Sequence, residues 1–314
     1  MKINIANNEI IHFIGIGGIG MSGLAQIMSN TGFNVQGSDL FKNKNIDRLI
    51  KTGIKSYIGH SKKNIKKATM VVISSAIKKN NKELIAARRK NLPIFNRGEM
   101  LANIVSLKKN IVVSGSHGKT TTTSLIANII AEAGLDPTII NGGVINSLKN
   151  TAHLGKGEWA VIESDESDGS FLKLPITYSV VTNLDKEHLD YYKNFENLKK
   201  SFHKFIEKTP SFGKSIVCLD DNNLKNLLKK CRTNNFVTYG FDKKSNYQIL
   251  NVRKNENNAK FDLKVNFTEN QIFRIKNFQI NLLGDHNILN ATASIVIALN
   301  LGIKINLIKR ALNK

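Results

Sequence analysis

The sequence predicts an α/β protein made of two successive parallel-sheet domains, and three observations carry that prediction. Apolar strand-like runs alternate with helical periodicity from the start of the chain, two of these strands run straight into glycine-rich turns, and short alternating segments replace the pattern only late in the sequence. Ile10 to Ile14 is an apolar strand that enters GIGGIG, after which Met21, Leu24, Ile27 and Met28 fall at helical spacing until Gly32 stops the helix. Asn34 to Gly37 then reads as a second strand that delivers Ser38 and Asp39 at its end, completing a βαβ opening. MVVISSA, Met70 to Ala76, predicts a buried strand, the segment from Leu84 to Arg89 an amphipathic helix, and Pro93 introduces another short strand.

Polar LKKN at Leu107 to Asn110 precedes a fresh strand, IVVS, and a second glycine-rich turn, so the expected domains are residues 1–107 and 108–314. After that turn, TTTSLIANIIAEAG predicts a helix with Leu125, Ile126, Ile129, Ile130 and Ala133 on one face and Gly134 as its stop. Between Asn235 and Leu283, the segments FVTYGF, YQILNV, KFDLKVNF and QIFRIKNFQI predict an antiparallel patch. A helix from Asn287 to Leu301 and a shorter one close the chain.

Composition bounds the function classes. At 314 residues the chain exceeds one comfortable core, and 41% hydrophobic with 22% charged residues is ordinary globular usage. No apolar run approaches the ~18 residues of a membrane span, and the N-terminus lacks the pattern of an export signal, so a soluble cytoplasmic protein without a membrane partner is expected. Cys218 and Cys231 are too few for a disulfide framework or a zinc site. The net charge of +22 invites a polyanion, but the lysines are scattered without interleaved aromatics in a chain also rich in Ile and Asn, so no nucleic-acid partner is expected.

GSHGKT, Gly115 to Thr120, lies between a hydrophobic strand and a helix, where backbone N–H groups and the helix dipole converge on an anion. Lys119 can reach terminal phosphates, the Thr120 hydroxyl suits Mg²⁺, and the match is to a shortened P-loop because Val113 stands where the strict motif has glycine. GIGGIG satisfies G-x-G-x-x-G through Gly15, Gly17 and Gly20, with Asp39 about 20 residues on. That pattern admits NAD, FAD, another nucleotide or tight packing; beside a downstream ATP loop and without a hydride-transfer constellation, a different diphosphate such as a UDP-sugar fits better.

ESDESDGSF, Glu163 to Phe171, follows the strand-like WAVI and clusters acids that a divalent cation would relieve. A solvated acidic loop would look the same in sequence. TNLDKEHLD, Thr182 to Asp190, follows another apolar strand and sets His188 on the rim shared by Lys119 and Glu166 if the strands are parallel. LGDHNILN offers His286, Asn287 and Asn290 at the start of the closing helix, where N-capping by Asp285 is the plainer alternative.

HFIGIGGIGMSGLA, GSHGKTTTTSLIA, ESDESDGSFL, TNLDKEHLDYY and LGDHNILNATAS, in this order and over nearly the whole chain, resemble the Mur ligases. The resemblance implies an N-terminal Rossmann-like parallel-sheet domain and a central P-loop ATPase-like α/β domain. It further implies ATP and Mg²⁺ as cofactors, UDP-N-acetylmuramate and L-alanine as substrates, and an acyl phosphate on the way to an amide.

By resemblance, Gly115, Ser116, His117, Gly118, Lys119, Thr120 and Thr121 would hold the ATP phosphates, and Thr120, Glu166 and His188 would serve metal, with Lys119, Glu166 and His188 catalytic. Gly15, Gly17, Gly18, Gly20, Asp39, Ser74, Ser75 and Arg97 would surround the UDP part, Asn141 and neighbouring glycines the sugar, and His286, Asn287 and Asn290 the adenine. The family continues into a third domain beyond the position of Lys314, so the sequence fits a two-domain fragment, a truncated product, or half of a split enzyme whose partner is a separate third-domain polypeptide. The alternatives are a non-catalytic module that binds UDP-sugar and ATP and, less well supported, an NAD-dependent oxidoreductase.

Overall fold

The computed structural model describes residues 9–106, 108–145, 150–268 and 271–314. The chain divides into two compact units, Met1–Leu107 with Ile140–Leu154 and Lys108–Ile139 with Gly155–Lys314. In the first, β1 (Ile10–Ile14), α1 (Ile19–Asn30), β2 (Asn34–Asp39), α2 (Lys44–Lys51), β3 (Lys55–Ile58), β4 (Met70–Ile73), α3 (Lys82–Arg89), β5 (Ile94–Asn96) and α4 (Arg97–Val105) alternate. The strands pair in parallel in the order β3-β2-β1-β4-β5, so the chain direction across the sheet reverses between β1 and β4. A ligand crevice is expected beyond the strand ends at such a reversal.

Local chemistry sets these elements. The helices α2, α3 and α4 each open on an asparagine, Asn43, Asn81 and Asn96, whose side chain accepts a first-turn N–H, and Glu99 completes a capping box with Asn96. On one side of the sheet Leu84 and Ala87 of α3 pack with Ile14, Ile65, Ala68 and Val71.

Along the rest of the chain come β6 (Lys109–Ser114), α5 (Lys119–Glu132), β7 (Thr138–Ile145), β8 (Asn150–His153), β9 (Trp159–Glu163), β10 (Tyr178–Val181), α6 (Leu189–Tyr192) and α7 (Phe195–Glu207). They are followed by β11 (Ser215–Cys218), α8 (Asn222–Leu228), β12 (Phe236–Gly240), β13 (Tyr247–Lys254), β14 (Ala259–Thr268), β15 (Gln271–Ile280), α9 (Asp285–Asn300) and α10 (Ile305–Leu312). The sheet order is β15-β14-β13-β12-β11-β10-β6-β9, with β7 next beyond β9. From β13 to β9 neighbouring strands pair in parallel, whereas β14 pairs antiparallel with both β13 and β15.

The expected α/β architecture is therefore observed, with one shift at its edge. FVTYGF forms β12, which belongs to the parallel portion, so the antiparallel patch starts only at β13. The reason is the connection: α8 crosses over between β11 and β12, and a crossover helix returns the chain in parallel. Helix α9 is buried almost all round, and its Thr292 and Ser294 hydroxyls are satisfied by the carbonyls of Ile288 and Asn290, so polar residues cost little inside it.

The first unit also buries a charge. Glu83 is fully buried; its Oε2 accepts the Ser38 hydroxyl and faces His12 Nε2 and His60 Nδ1, each at 3.3 Å, while Oε1 accepts Asn64 Nδ2 at 2.6 Å and the Ser61 N–H at 3.0 Å. Burial alone would raise the Glu83 pKa, but the hydrogen bonds from His12 and Ser38 and the His12 charge outweigh it and hold the carboxyl at about 2. Because its pKa is depressed on folding, the stability this group contributes is present above about pH 4.5 and is lost as pH falls toward about 2. Glu83→Gln is expected to erase that acid-dependent component, read by amide hydrogen exchange along β1 and β2. An unchanged pH dependence of exchange would contradict the role given to this carboxylate.

Candidate functional site

Three adjacent parallel strands of the second unit end side by side. The register aligns Val113 with Glu163 and Ser114 with Val181, so the segments leaving β6, β9 and β10 emerge together. β6 leads into GSHGKT, where Gly115 and Gly118 hold φ of +136° and +81°; a Cβ on the first would collide with the Thr182 hydroxyl, and one on the second would come within 2.5 Å of Asn290 Oδ1. Gly118 caps α5 without a side-chain hydrogen bond, so the first-turn N–H groups have no intrahelical acceptor and sit at the positive end of the helix dipole.

Lys119 folds over this loop. Its Nζ donates to the carbonyls of Gly115 at 2.6 Å and Ser116 at 3.2 Å and to Glu166 Oε1 at 3.0 Å. The Thr120 hydroxyl donates to Glu163 Oε1 at 3.0 Å. Glu163, the last residue of β9, was not singled out from the sequence, although an acid closing an apolar strand beside a phosphate-type loop is a readable signal.

Glu166 is 1% exposed. Its Oε2 is buried without a hydrogen-bond partner, the Tyr192 hydroxyl donates to its backbone carbonyl, and His188 Nε2 lies 3.8 Å from Oε1. Burial raises the Glu166 pKa, and the charge and hydrogen bond of Lys119 only partly oppose this. Ligand atoms of Glu166, Glu187 and His188 lie within 4.8 Å of one another. Two carboxylates and an imidazole, one carboxylate oxygen being buried and unmatched, suit a divalent cation. Glu187 is the member that sequence reasoning passed over.

The other predicted residues of this loop take different positions. The Ser116 hydroxyl accepts the Asp185 N–H at 2.9 Å, and the exposed His117 ring faces Asp185 Oδ2 at 3.0 Å. Thr121 lies half-buried on the first turn of α5. At the start of α9, His286 is exposed and Asn287 bonds the Leu283 carbonyl at 2.7 Å. Asn290 differs: it is 5% exposed, its Oδ1 accepts the Thr122 hydroxyl at 3.2 Å, and it supports Gly118 from beneath the loop.

In the first unit the predicted residues collect at the carboxyl ends of β1, β2, β4 and β5. The N–H groups of Gly15 and Ile16 donate to the Ser38 carbonyl at 2.8 and 3.0 Å. Asp39 Oδ2 accepts the Gly17 N–H at 2.8 Å and Oδ1 the Leu40 N–H at 2.7 Å, while the Asn43 and Asn45 amides donate to the Gly17 carbonyl at 3.2 and 2.9 Å. Neither asparagine was expected in the turn.

Ser74 lies under Gly15, and the Arg97 guanidinium lies where a Cβ on Gly20 would project. Gly18 and Ser75 are exposed. Asn141 is buried on β7, and the neighbouring glycines 142 and 143 fall outside the residues whose surroundings are described.

Comparison with known proteins identifies the family. Residues 113–298 match the Mur ligase middle domain, and residues 10–109 match the family described as Mur ligase family, catalytic domain. A curated UDP-N-acetylmuramate–L-alanine ligase of Pelagibacter ubique is 59% identical over 314 residues, and one of Brucella anthropi is 45% identical over 312; all or nearly all of this chain is aligned, covering 68% and 66% of those proteins. The chain thus spans about two thirds of the length of these relatives.

Among solved structures, the UDP-N-acetylmuramate–alanine ligase of Thermotoga maritima superposes with a TM-score of 0.85 at 29% identity, covering 96% of this chain and 67% of that one. The UDP-N-acetylmuramate:L-alanyl-γ-D-glutamyl-meso-diaminopimelate ligase from Neisseria meningitides gives 0.84 at 27% identity, with 97% of each chain covered. The chain belongs to the Mur ligase family and carries its N-terminal and middle domains.

Proposed function

We propose that this chain provides the sugar-nucleotide and ATP sites of a ligase that joins L-alanine to the lactyl carboxylate of UDP-N-acetylmuramate in peptidoglycan precursor synthesis. The observation that carries the proposal is the meeting of Lys119 with Glu166 and of Thr120 with Glu163 at neighbouring strand ends, beside an uncapped helix N-terminus. In a P-loop enzyme the lysine cradles the terminal phosphates, while the threonine and a strand-terminal acid share the magnesium ion. Glu163 fits that second place by its bond to Thr120, and Glu166, Glu187 and His188 fit a second ion. Bound Mg²⁺ would supply neutralisation of phosphate charge.

The protein's own groups then bind and orient. The first-turn N–H groups of α5 and the Lys119 ammonium hold the γ-phosphoryl group in line with the incoming carboxylate and stabilise charge as it shifts toward ADP. The carboxylate oxygen bonds to phosphorus as the bond to ADP breaks, giving an acyl phosphate. The alanine amine next bonds to the acyl carbon, phosphate departs, and the amine proton is lost. His286 and Asn287 remain on the adenine side, with Asn290 bracing the loop. In the first unit the turn from Gly15 to Gly20 and Arg97 receive the diphosphate, with Ser74 and Ser75 at the rim and Asn141 assigned to the sugar.

The direct test is phosphate release from ATP in the presence of UDP-N-acetylmuramate and L-alanine, with and without an added third domain of a relative. Release that depends on both substrates is expected once that domain is supplied; silence in both conditions would favour a module that only binds. Lys119→Ala should keep the fold and its affinity for UDP-N-acetylmuramate while lowering kcat by about 10²- to 10³-fold, and normal turnover would remove Lys119 from its role. Glu163→Gln should raise the Mg²⁺ concentration for half-maximal turnover, and an unmoved Mg²⁺ curve would return the nucleotide's ion to Glu166. Gly17→Ala would press a methyl group to 2.9 Å from Asp39 Oδ2 and 2.7 Å from Asn43 Nδ2. Weaker UDP-N-acetylmuramate binding with unaltered ATP binding is expected from it, measured by titration calorimetry.

A further inference from the structure

The segment that leaves β10 grips the phosphate loop from one side. Asn183 makes a two-point contact with the backbone of a single residue of that loop: its Oδ1 accepts the His117 N–H at 2.7 Å, and its Nδ2 donates to the His117 carbonyl at 3.0 Å. The Asn183 backbone carbonyl accepts the Ser116 N–H at 3.3 Å, and the Thr182 hydroxyl donates to the His117 carbonyl at 2.6 Å. The grip is itself anchored from behind. Leu184 N–H donates to Asp221 Oδ2 at 3.0 Å and the Asn223 amide donates to the Leu184 carbonyl at 2.8 Å, tying the segment to the start of α8.

This arrangement divides the donors of the loop into two sets. The N–H groups of Ser116 and His117 are consumed by Asn183, whereas those of the first turn of α5 have no intrahelical acceptor. A loop with glycines at both ends of Ser116–His117 would otherwise sample many conformations and lose that freedom on binding phosphate. We infer that Asn183 is a positioning residue for the phosphate loop: by occupying both backbone polar groups of His117, and so pinning the two successive peptides that flank its Cα, it fixes the loop so that the first-turn N–H groups of α5 and Lys119 converge on the terminal phosphates of ATP. The inference rests on the reading of GSHGKT as the phosphate site. Asn183 touches no reacting atom in this scheme and acts through the backbone of His117.

Two measurements on this chain test it, amide hydrogen exchange and calorimetric titration with Mg·ATP, with UDP-N-acetylmuramate titration as control. In the unsubstituted protein the His117 amide is expected to be protected; in Asn183→Ala, protection at Ser116 and His117 falls while that of β6 is kept. Mg·ATP binding weakens by about tenfold as loop ordering is transferred to the binding step, and UDP-N-acetylmuramate affinity is unchanged. Asn183→Ala binding Mg·ATP as tightly as the unsubstituted protein would overturn the inference and leave the phosphate-site reading intact. Failure of the unsubstituted protein to bind Mg·ATP would overturn both. If Asn183→Ala also loses protection along β6, Asn183→Asp, which keeps an acceptor for the His117 N–H, decides by the same readouts: retained His117 protection supports the grip, and loss of it refutes it.

Discussion

The parallel register of β9, β6 and β10 is the constraint on which the second unit's chemistry depends. Parallel strands direct their carboxyl ends to one side, so three segments far apart in sequence leave the sheet as neighbours. Glu163 closes one strand, Gly115 follows the second and Thr182 the third. A shift of a single residue between β6 and β9 would turn Glu163 to the opposite face and separate it from Thr120, because side-chain direction alternates along a strand. The buried Val112, Val113, Val161, Ile162, Val180 and Val181 are consecutive pairs that line both faces of the sheet, so what resists such a slip is the close fit of individual side chains against their neighbours and not the turning of a polar face inward. Core packing thereby determines where the carboxylates stand.

That placement is not favourable to stability. Glu166 is removed from water with one oxygen facing Lys119 and the other unmatched, and leaving a buried polar group unsatisfied costs about 1–3 kcal/mol. Lys119 keeps part of its side chain in solvent, so the desolvation cost falls mainly on Glu166, where a well-packed apolar residue would serve the fold better. The raised Glu166 pKa expresses the same imbalance: one ammonium does not fully compensate the desolvation. Further positive charge near Oε2 would correct it. A local violation of packing economy concentrated where anion and cation donors converge is the pattern expected of a working site. Glu83 makes the contrast: it is equally buried, but five donors or partners surround it and its pKa falls.

Much of this was legible in the sequence because the two glycine-rich turns are local features with strands before them and helices after them. The α/β class, the Lys119 loop and the acidic strand terminus all follow from short windows. What was not legible depends on pairing. Glu163 and Glu166 lie three residues apart in one acidic run, and only the register of β9 against β6 directs the former to Thr120. Asn183 contacts a peptide 66 residues earlier, which no local pattern encodes. Asn290 reads in sequence as an adenine-side residue at the start of the closing helix, yet the packing of α9 on α5 buries it beneath Gly118. FVTYGF alternates like an edge strand, and only the crossover through α8 decides that it pairs in parallel.

The first turn illustrates why the G-x-G-x-x-G pattern alone admits several ligands. In a dinucleotide site the acid following the second strand receives ribose hydroxyls. Here Asp39 commits one oxygen to the Gly17 N–H and the other to the Leu40 N–H, so it braces the turn from within. Asn43 and Asn45 complete the bracing by capturing the Gly17 carbonyl. Opposite them Arg97 lies against Gly20, adding a fixed cation to a turn that otherwise offers only backbone dipoles. A braced backbone with an arginine beside it suits a diphosphate held still, whereas the second loop, with a lysine that can exchange its carbonyl partners for phosphate and carboxylates poised for metal, suits a phosphoryl group that must move.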